Sequence, residues 1–329
     1  MINFDTLPIE NEYYDGAAKK RAIKYNGSTY MVKYPAKTEQ PNDLATVYSN
    51  SSFSEYISCQ IINALHMPGV NAQETLLGES NGKVAVACKD FTTLFLRLVK
   101  FNMVQNADID SDASGRHPVL QDVLQTYKTM PQLQNPAFIG RFWDTFAIDA
   151  LLGNFDRHAG NWGFLNDTQH GILRLAPIYD CGSCLYPALS ERHMTAVLSS
   201  QDEINKRIFD FPKSAFLDKT TKKKISYADA LNDRGNVQLQ QSLEKLSDCM
   251  DFDIISSVID RTPYLSDTQK EFYNTMIQQR YEKLIQPALV KSVIYQNPIQ
   301  SFCEKWVQQH SQTENQSNMD LDTDDEIDL

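Results

Sequence analysis

The sequence has no apolar run near the roughly 20 residues that a membrane-spanning helix needs, so no membrane segment is expected. Its opening, MINFDTLPIENEYYDG, lacks the basic-then-apolar order of a secretory leader. The expected address is cytoplasmic, with export from the cell left open. Cysteine is scarce: Cys59, Cys88, Cys181, Cys184, Cys249 and Cys303 are spread over 329 residues. That is no disulfide framework, and it points to reduced thiols. Cations are missing from the closing stretch TENQSNMDLDTDDEIDL, which holds seven carboxylates and no Lys or Arg. Those seven supply most of the net charge of −11, leaving −4 for the remainder. A body so mildly acidic argues against a broad nucleic-acid surface, and no direct nucleic-acid contact is expected. There is little to bury after His310, so 310–329 is expected to be a disordered acidic tail. No internal repeat is visible.

What is present reads as two successive patterns. Residues 1–91 are rich in strand signals. In KRAIKYNGSTYMVKYP, two apolar stretches flank Asn26-Gly27, as in a hairpin. QETLLGESNGKVAVACKDF repeats the device at Asn81-Gly82, and its second strand, Val84 to Cys88, is apolar enough to be buried on both faces. Between them, SFSEYISCQIINAL has helical spacing, with Ser52 or Ser54 as the expected N-cap. After about Phe91 the pattern changes to helices. PAFIGRFWDTFAIDALLG carries Phe138, Phe142 and Phe146 four residues apart, with Pro136 near its start and Gly153 past its end. Ser266 and Gln269 stand at capping-box spacing before another helix. The fold class expected is α+β: a small strand-rich lobe, 1–91, then a larger helical lobe, 92–309.

Function is concentrated in IDALLGNFDRHAGNWGFL. After the helix stops at Gly153, Asp156 and Asn161 fall on one loop. WGFL then reads as a strand, Asn166-Asp167 as a turn, and ILRLAPIYD as a second strand ending at Asp180. The three side chains converge if that hairpin folds back. Phosphoryl transfer to a hydroxyl needs such a set: one carboxylate to take the proton, and an amide oxygen and a second carboxylate to hold magnesium. Asp-x4-Asn alone is a weak signal, because Asp and Asn are ordinary turn residues. Its placement between a helix and a hairpin that ends in YDCG strengthens it.

A kinase reading makes demands upstream. Lys33, at the end of the strand YMVK, fits the lysine that meets the nucleotide phosphates, and Glu55 on the next helix fits its carboxylate partner. A phosphate-covering turn falls at Gly16, Ala17, Ala18, Lys19 and Lys20, with one glycine where three are usual. A hinge whose backbone meets adenine falls at Ala87 to Phe91, and so at Cys88, Lys89 and Asp90. Each has a plainer alternative: a solvated lysine, a first-turn glutamate, a simple turn. His158 is grouped with the nucleotide-facing residues, against the alternative of a packed loop histidine. Asp149 is expected to hydrogen-bond the loop from the helix. Cys181-Gly-Ser-Cys184 lacks the second ligand pair that zinc requires and reads as a tight turn after Asp180. The lysines at 219 and 222–224 read as a solvated hairpin tip.

LLGNFDRHAGNWGFL, LAPIYDCGSCLYP, GAAKK…YMVKYP and SEYISCQIINAL together resemble the HipA-like serine/threonine kinases, in particular the compact stand-alone members of that family. The resemblance runs from about residue 12 to about residue 300, is strongest at 148–187 and thins after 200. It implies a two-lobed protein-kinase-like fold, ATP with Mg2+, and transfer to serine or threonine of a protein substrate, with autophosphorylation. By position it implies Asp156 as catalytic aspartate, Asn161 as catalytic-loop and metal asparagine, Asp180 as metal aspartate and Lys33 as ATP lysine. Some of the family have a small DNA-binding antitoxin partner, and such a partner is left open. The member that names the family silences itself by phosphorylating a serine in the phosphate loop; Ala17 and Ala18 offer no hydroxyl. Two other readings stay open: a small-molecule phosphotransferase of the aminoglycoside or choline kinase type, and a non-catalytic nucleotide-binding module.

Overall fold

The computed structural model describes residues 2–10, 20–35, 37–38, 47–48, 50–108, 117–233 and 235–289. The turn residues Gly16, Ala17, Ala18 and Lys19 and the tail 310–329 lie outside the described residues; Lys20 opens a strand.

The first lobe is built on β1 (Ile2–Asn3), β2 (Ile9–Glu10), β3 (Lys20–Tyr25), β4 (Ser28–Lys33), a short pair β5 (Lys37–Thr38) and β6 (Val47–Tyr48), helix α1 (Ser51–Ala64), β7 (Thr75–Ser80) and β8 (Lys83–Lys89). Six of these strands form one sheet in the order β1-β7-β8-β4-β3-β2. The two Asn-Gly turns set the β3–β4 and β7–β8 registers, with Asn26 and Asn81 in the left-handed conformation that such turns need. β8 lies between β4 and β7, and Ala85 to Cys88 are buried, as its apolar run requires. The sheet places Lys33 opposite Val86. α1 packs on β7 and β8. Phe4, Ile23, Tyr30, Val32, Ala85 and Ala87 form a separate small cluster.

α1 starts earlier than expected. Asn50 occupies the N-cap position, and Ser52 and Ser54 are buried inside the first turn. Asn50 makes no side-chain cap bond; its amide donates to Leu189 O and accepts from Gln269, tying α1 to the second lobe.

The second lobe holds β9 (Leu96–Lys100), α2 (Phe101–Asp108), α3 (Leu120–Thr129), α4 (Pro136–Leu152), β10 (Gly163–Asp167), β11 (Ile172–Leu175), α5 (Glu191–Leu198), α6 (Gln201–Phe209), α7 (Tyr227–Leu231), α8 (Val237–Asp248), α9 (Phe252–Arg261) and α10 (Asp267–Arg280), which runs into a π-helical turn at Tyr281–Ile285. The lobe is therefore not helical throughout after Phe91. β9 joins β10 and β11 in a three-stranded antiparallel sheet. LFLRLVKFNMV suits either period, and β9 runs straight into α2, so no turn signal separates them. The approach of β10 to β9 requires Gly163: a Cβ there would lie 2.2 Å from Val99 O.

Two further expectations are corrected. The β10–β11 turn lies at Thr168–Gly171, not at Asn166-Asp167. Asp167 stays in the strand, buried, and its carboxylate accepts from the N–H groups of Gln169 and His170 and from Arg174. Its role is to cap the turn rather than to form it. β11 ends at Leu175, not at Asp180. Pro177 cannot donate to a ladder, and the chain changes partner: Ile178 bridges Ala72 of the first lobe. Asp180 then adopts φ 60°.

α4 is the axis of the helical lobe. Asn135 caps it through Ala137 N, with Pro136 in its first turn. Phe142 touches the rings of Tyr127, Trp143, Trp162 and Phe216, and α8 and α10 pack on the helix. One continuous core joins α1, α4, α8 and α10. Among the described residues no helix is long and apolar enough to cross a membrane.

Candidate functional site

A helix leaves its last carbonyls without partners, and at the end of α4 the residues that follow it and two distant segments supply them. Gly153, at φ 69°, turns its N–H to Asp149 O, and Asn154 N bonds the same oxygen. Arg280 Nε donates to Ala150 O at 2.7 Å and Leu185 N to Leu152 O at 2.9 Å. Arg280 is buried, and its guanidinium lies 5.5 Å from the Tyr227 ring centroid. A cation at a helix C-terminus also opposes the negative end of the dipole.

The loop that follows is closed by its own groups. Asn154 donates to Asp149 Oδ1 (2.9 Å) and accepts from Asp156 N (3.0 Å). Asp156 O accepts from His158 N (2.8 Å) and from Asn161 Nδ2 (2.9 Å). That last bond fixes the Asn161 amide and leaves its Oδ1 as the oxygen that could face a cation. His158 is turned onto its own loop, where Nδ1 accepts from Gly160 N at 3.1 Å. The half-buried Asp156 carboxylate takes no hydrogen bond from any described residue.

Arg157 binds this loop to its surroundings. Its Nε and Nη2 grip Asp149 at 2.9 and 3.0 Å, and Nη1 donates to Asn161 O at 3.0 Å and to Tyr179 O. Nη2 also lies 3.6 Å from Cys181 Sγ. Both ions of the pair are 3% exposed, so each needs the other. Burial opposes the guanidinium's charge, but Asp149 beside it more than reverses the effect and holds Arg157 well above its ordinary range. Burial lifts the Asp149 carboxyl, and Arg157 draws it partly back. Because Tyr179 precedes Asp180, this one side chain sets the catalytic-loop candidates against the segment that carries Asp180.

The first lobe meets that segment at Lys33. Its Nζ lies 3.1 Å from Glu55 Oε2 and 2.9 Å from Asp180 Oδ1. Glu55 is 1% exposed, whereas the Asp180 side chain is 44% exposed. Burial disfavours the ammonium, but Glu55 and then Asp180 outweigh it and keep Lys33 protonated. Burial raises Glu55. Gly182 packs against this pair; a Cβ there would come within 3.2 Å of Glu55 Oε2. Cys184 N bonds Cys181 O at 3.0 Å in a tight turn. Among the described residues no group of three or more His, Cys, Asp or Glu could hold a metal, and Cys59, Cys88, Cys181 and Cys184 are buried free thiols.

The hinge candidates end the central strand. Cys88 is buried between β4 and β7. Lys89 N donates to Glu74 O, Lys89 O accepts from Gln73 Nε2, and Lys89 Nζ pairs with Glu74 at 2.7 Å. Asp90 N donates to Thr29 O, and its carboxylate accepts from Thr92. The structure thus brings Lys33, Glu55 and Asp180 together and joins Asp156, Asn161 and Asp180 through Arg157. Sequence reasoning left Arg157 without a role, read Lys224 as part of a solvated hairpin tip, and missed Arg280 and Tyr227. Tyr227 donates to Asn154 O, and Lys224 Nζ lies 3.4 Å from Phe155 O. For Arg157 a signal existed: Asp149 is an acid inside the apolar run Phe146 to Leu152, and an acid there requires a partner.

Comparison with known proteins bears on the family and the fold. The curated serine/threonine-protein kinase CtkA of Helicobacter pylori strain J99 is 40% identical over 294 residues, 89% of either chain. The crystal structure of a Helicobacter pylori proinflammatory kinase CtkA superposes with a TM-score of 0.82, covering 89% of this chain and 97% of that one. HipA of Shewanella oneidensis MR-1, solved with HipB and operator DNA, is 16% identical; it covers 85% of this chain and 69% of its own, with a TM-score of 0.50, and speaks for the fold alone. The two-lobed α+β architecture is therefore kinase-like. The family described as HipA-like C-terminal domain matches residues 14–247, and the chain belongs to it.

Proposed function

We propose that this chain is a serine/threonine protein kinase that transfers the γ-phosphoryl group of ATP to a protein hydroxyl, itself included. The observation that carries the reading is Lys33, a partly buried ammonium shared by Glu55 and Asp180 across the two lobes. A cation held at that point needs no third carboxylate; it is positioned for phosphate oxygens beside a metal site. The donor set fits magnesium, a hard ion that prefers oxygen: Asn161 Oδ1, left over when Nδ2 bonds Asp156 O, and the half-exposed carboxylate of Asp180. Magnesium held there supplies charge neutralisation for the phosphates.

The chain's own groups do the rest. Asp156, whose carboxylate is engaged by no described residue, accepts the acceptor's proton as the oxygen attacks. Arg157 holds Asn161 and Asp180 in register. Residues 16–20 cover the phosphates. The base meets the chain at the end of β8; Lys89 N and O already bond Glu74 O and Gln73 Nε2, which directs it beyond Lys89. His158 shapes the loop rather than touching nucleotide. We assign nucleotide binding to 1–91, acceptor handling to 92–309 and a separate acidic appendage to 310–329, in a cytoplasmic protein with reduced thiols. A small DNA-binding partner, as HipB is to the Shewanella HipA, belongs to the same proposal.

The test is radiolabelled ATP with magnesium, the protein itself and a generic basic protein as acceptors, and Asp156→Asn beside wild type. Label on serine or threonine, reduced roughly 100-fold or more in the variant, is expected. ATP that raises the melting temperature while no hydroxyl is labelled would leave a nucleotide-binding module instead.

A further inference from the structure

Phe155 directly precedes Asp156, and its ring lies on Phe211, with centroids 5.4 Å apart. Phe211 is 49% exposed and Phe209 42% exposed. Phe209 ends α6 and Phe211 opens the stretch between α6 and α7, which is built against the candidate catalytic loop. Lys224 Nζ reaches Phe155 O, Tyr227 donates to Asn154 O, and a Cβ on Gly153 would meet Pro212 Cγ at 3.0 Å. The stretch is firmly held. Ser214 N and Oγ both donate to Ile225 O, and Ile225 N donates to Phe216 O. Pro212, Ala215 and Phe216 are buried. Two large aromatic rings, Phe209 and Phe211, therefore stay about half exposed beside a segment whose other side is core, and Phe211 rests on the residue that precedes the candidate catalytic carboxylate. The fold gains little from leaving them there.

The charge around them is unusual for this chain. Residues 209–224 hold five lysines and two aspartates in a protein of net charge −11. Asp218 accepts from the N–H groups of Thr220 and Thr221, and Lys219 pairs with Asp122. Lys213, Lys222 and Lys223 are exposed and have no ion-pair partner among the described residues.

We propose that Phe155, Phe209 and Phe211, with Lys213, Lys222 and Lys223, seat the acceptor chain. The ligand is a peptide segment with an aliphatic or aromatic residue next to its serine or threonine and acidic residues farther along. Consecutive residues of an extended chain are about 3.5 Å apart. A hydroxyl that reaches Asp156 therefore lays its neighbour on the Phe155–Phe211 pair. The lysines beyond attract acidic side chains and repel basic ones. The seat rests on the reading of Asp156 as the acceptor's proton sink. It also separates protein from small-molecule acceptors, since a small molecule has no flanking residue to place there.

The test uses the full chain, radiolabelled ATP and a serine peptide series varied at one flanking residue (Leu, Asp or Lys) and at the more distant positions (Glu or Lys). Wild type is expected to prefer Leu beside the serine and Glu farther out. Phe211→Ala should raise KM for the Leu peptide roughly tenfold, the effect of losing part of one aromatic contact, and erase the preference. Lys222→Glu with Lys223→Glu should reverse the charge preference. Val237→Ala, an exposed apolar change on α8, is the control and should leave both preferences intact; melting temperatures report folding. Peptides labelled without regard to their flanks, or variants that keep the wild-type preferences, overturn the seat alone. Wild type that labels no peptide overturns the kinase reading and the seat with it. Phe211→Ala that abolishes self-association and leaves peptide choice unchanged makes the patch a contact between copies and overturns the seat.

Discussion

Arg157→Met should cost more stability than almost any other single change, and the loss should divide into two separable parts. Methionine keeps the length of the side chain and removes the charge. Asp149, 2% exposed, is left with Asn154 as its remaining side-chain donor. Breaking a buried ion pair from one side costs about 3–5 kcal/mol, out of a total near 5–15 kcal/mol for a typical domain. In a chain of this size the melting temperature should fall by about 5–15 °C. The sign with pH follows from Asp149. Its folded pKa is already above the ordinary value because of burial, and without Arg157 it rises further. A raised carboxyl contributes stability below its unfolded pKa and loses it as pH climbs through the folded value. The deficit of the variant should therefore be smaller in acid than at neutral pH. Adding Asp149→Leu removes the stranded charge, and much of the stability should return, because paired buried ions replaced by apolar groups are often nearly neutral. Activity should not return with it. Asn161 O and Tyr179 O would still lack the guanidinium that joins them, and phosphoryl transfer should stay at least about tenfold down, as loss of positioning predicts. Thermal melts at two pH values and a transfer assay on the single and double variants decide the matter. A single variant within about 1 kcal/mol of wild type would refute the buried pair as a stabilising unit. A double variant that regains both properties would refute the positioning role.

Lys33→Met should lower transfer roughly 100-fold or more, as removal of a preorganised charge does, while leaving Glu55 buried without its cation; its melting temperature should therefore fall as pH rises, read by melts between pH 5 and 8. Gly182→Ala should press a methyl group within 3.2 Å of Glu55 Oε2 and lower kcat about tenfold for a small displacement of the Lys33 cluster, with the melting temperature little changed; unchanged kinetics would show that the glycine is dispensable. Phe142→Ala, which removes a buried ring in contact with four others, should cost about 3–5 kcal/mol by denaturant titration. A much smaller loss would mean that the cavity collapses.

What the sequence made legible was mostly local. The Asn-Gly turns, the Pro136-to-Gly153 helix and the Ser266–Gln269 capping box depend on neighbours a few residues away, and each appears in the structure. Lys33, Glu55 and Asp180 meet although 147 residues separate the first from the last; here the order of patterned segments served where distance could not be read. The misses have a common cause. Asp167 looked like a turn residue because its carboxylate bonds the turn without joining it. β9 was hidden because a five-residue strand flowing into a helix has no punctuation. Arg280 and Tyr227 act on the backbone carbonyls of Ala150 and Asn154. A carbonyl is the same at every position, so nothing in the sequence marks which one a distant side chain will claim.

The end of α4 has a consequence for biosynthesis. Arg280, which closes the Ala150 carbonyl, is translated 130 residues after it. At ordinary elongation rates that interval is roughly 6–26 s. Once residue 161 is made, the nascent chain carries the first lobe and every residue of the candidate catalytic loop, yet lacks the side chain that closes the helix end before that loop. A growing polypeptide should thus stay catalytically silent until α10 has left the ribosome, and a chain arrested early in translation should be harmless to the cell that makes it.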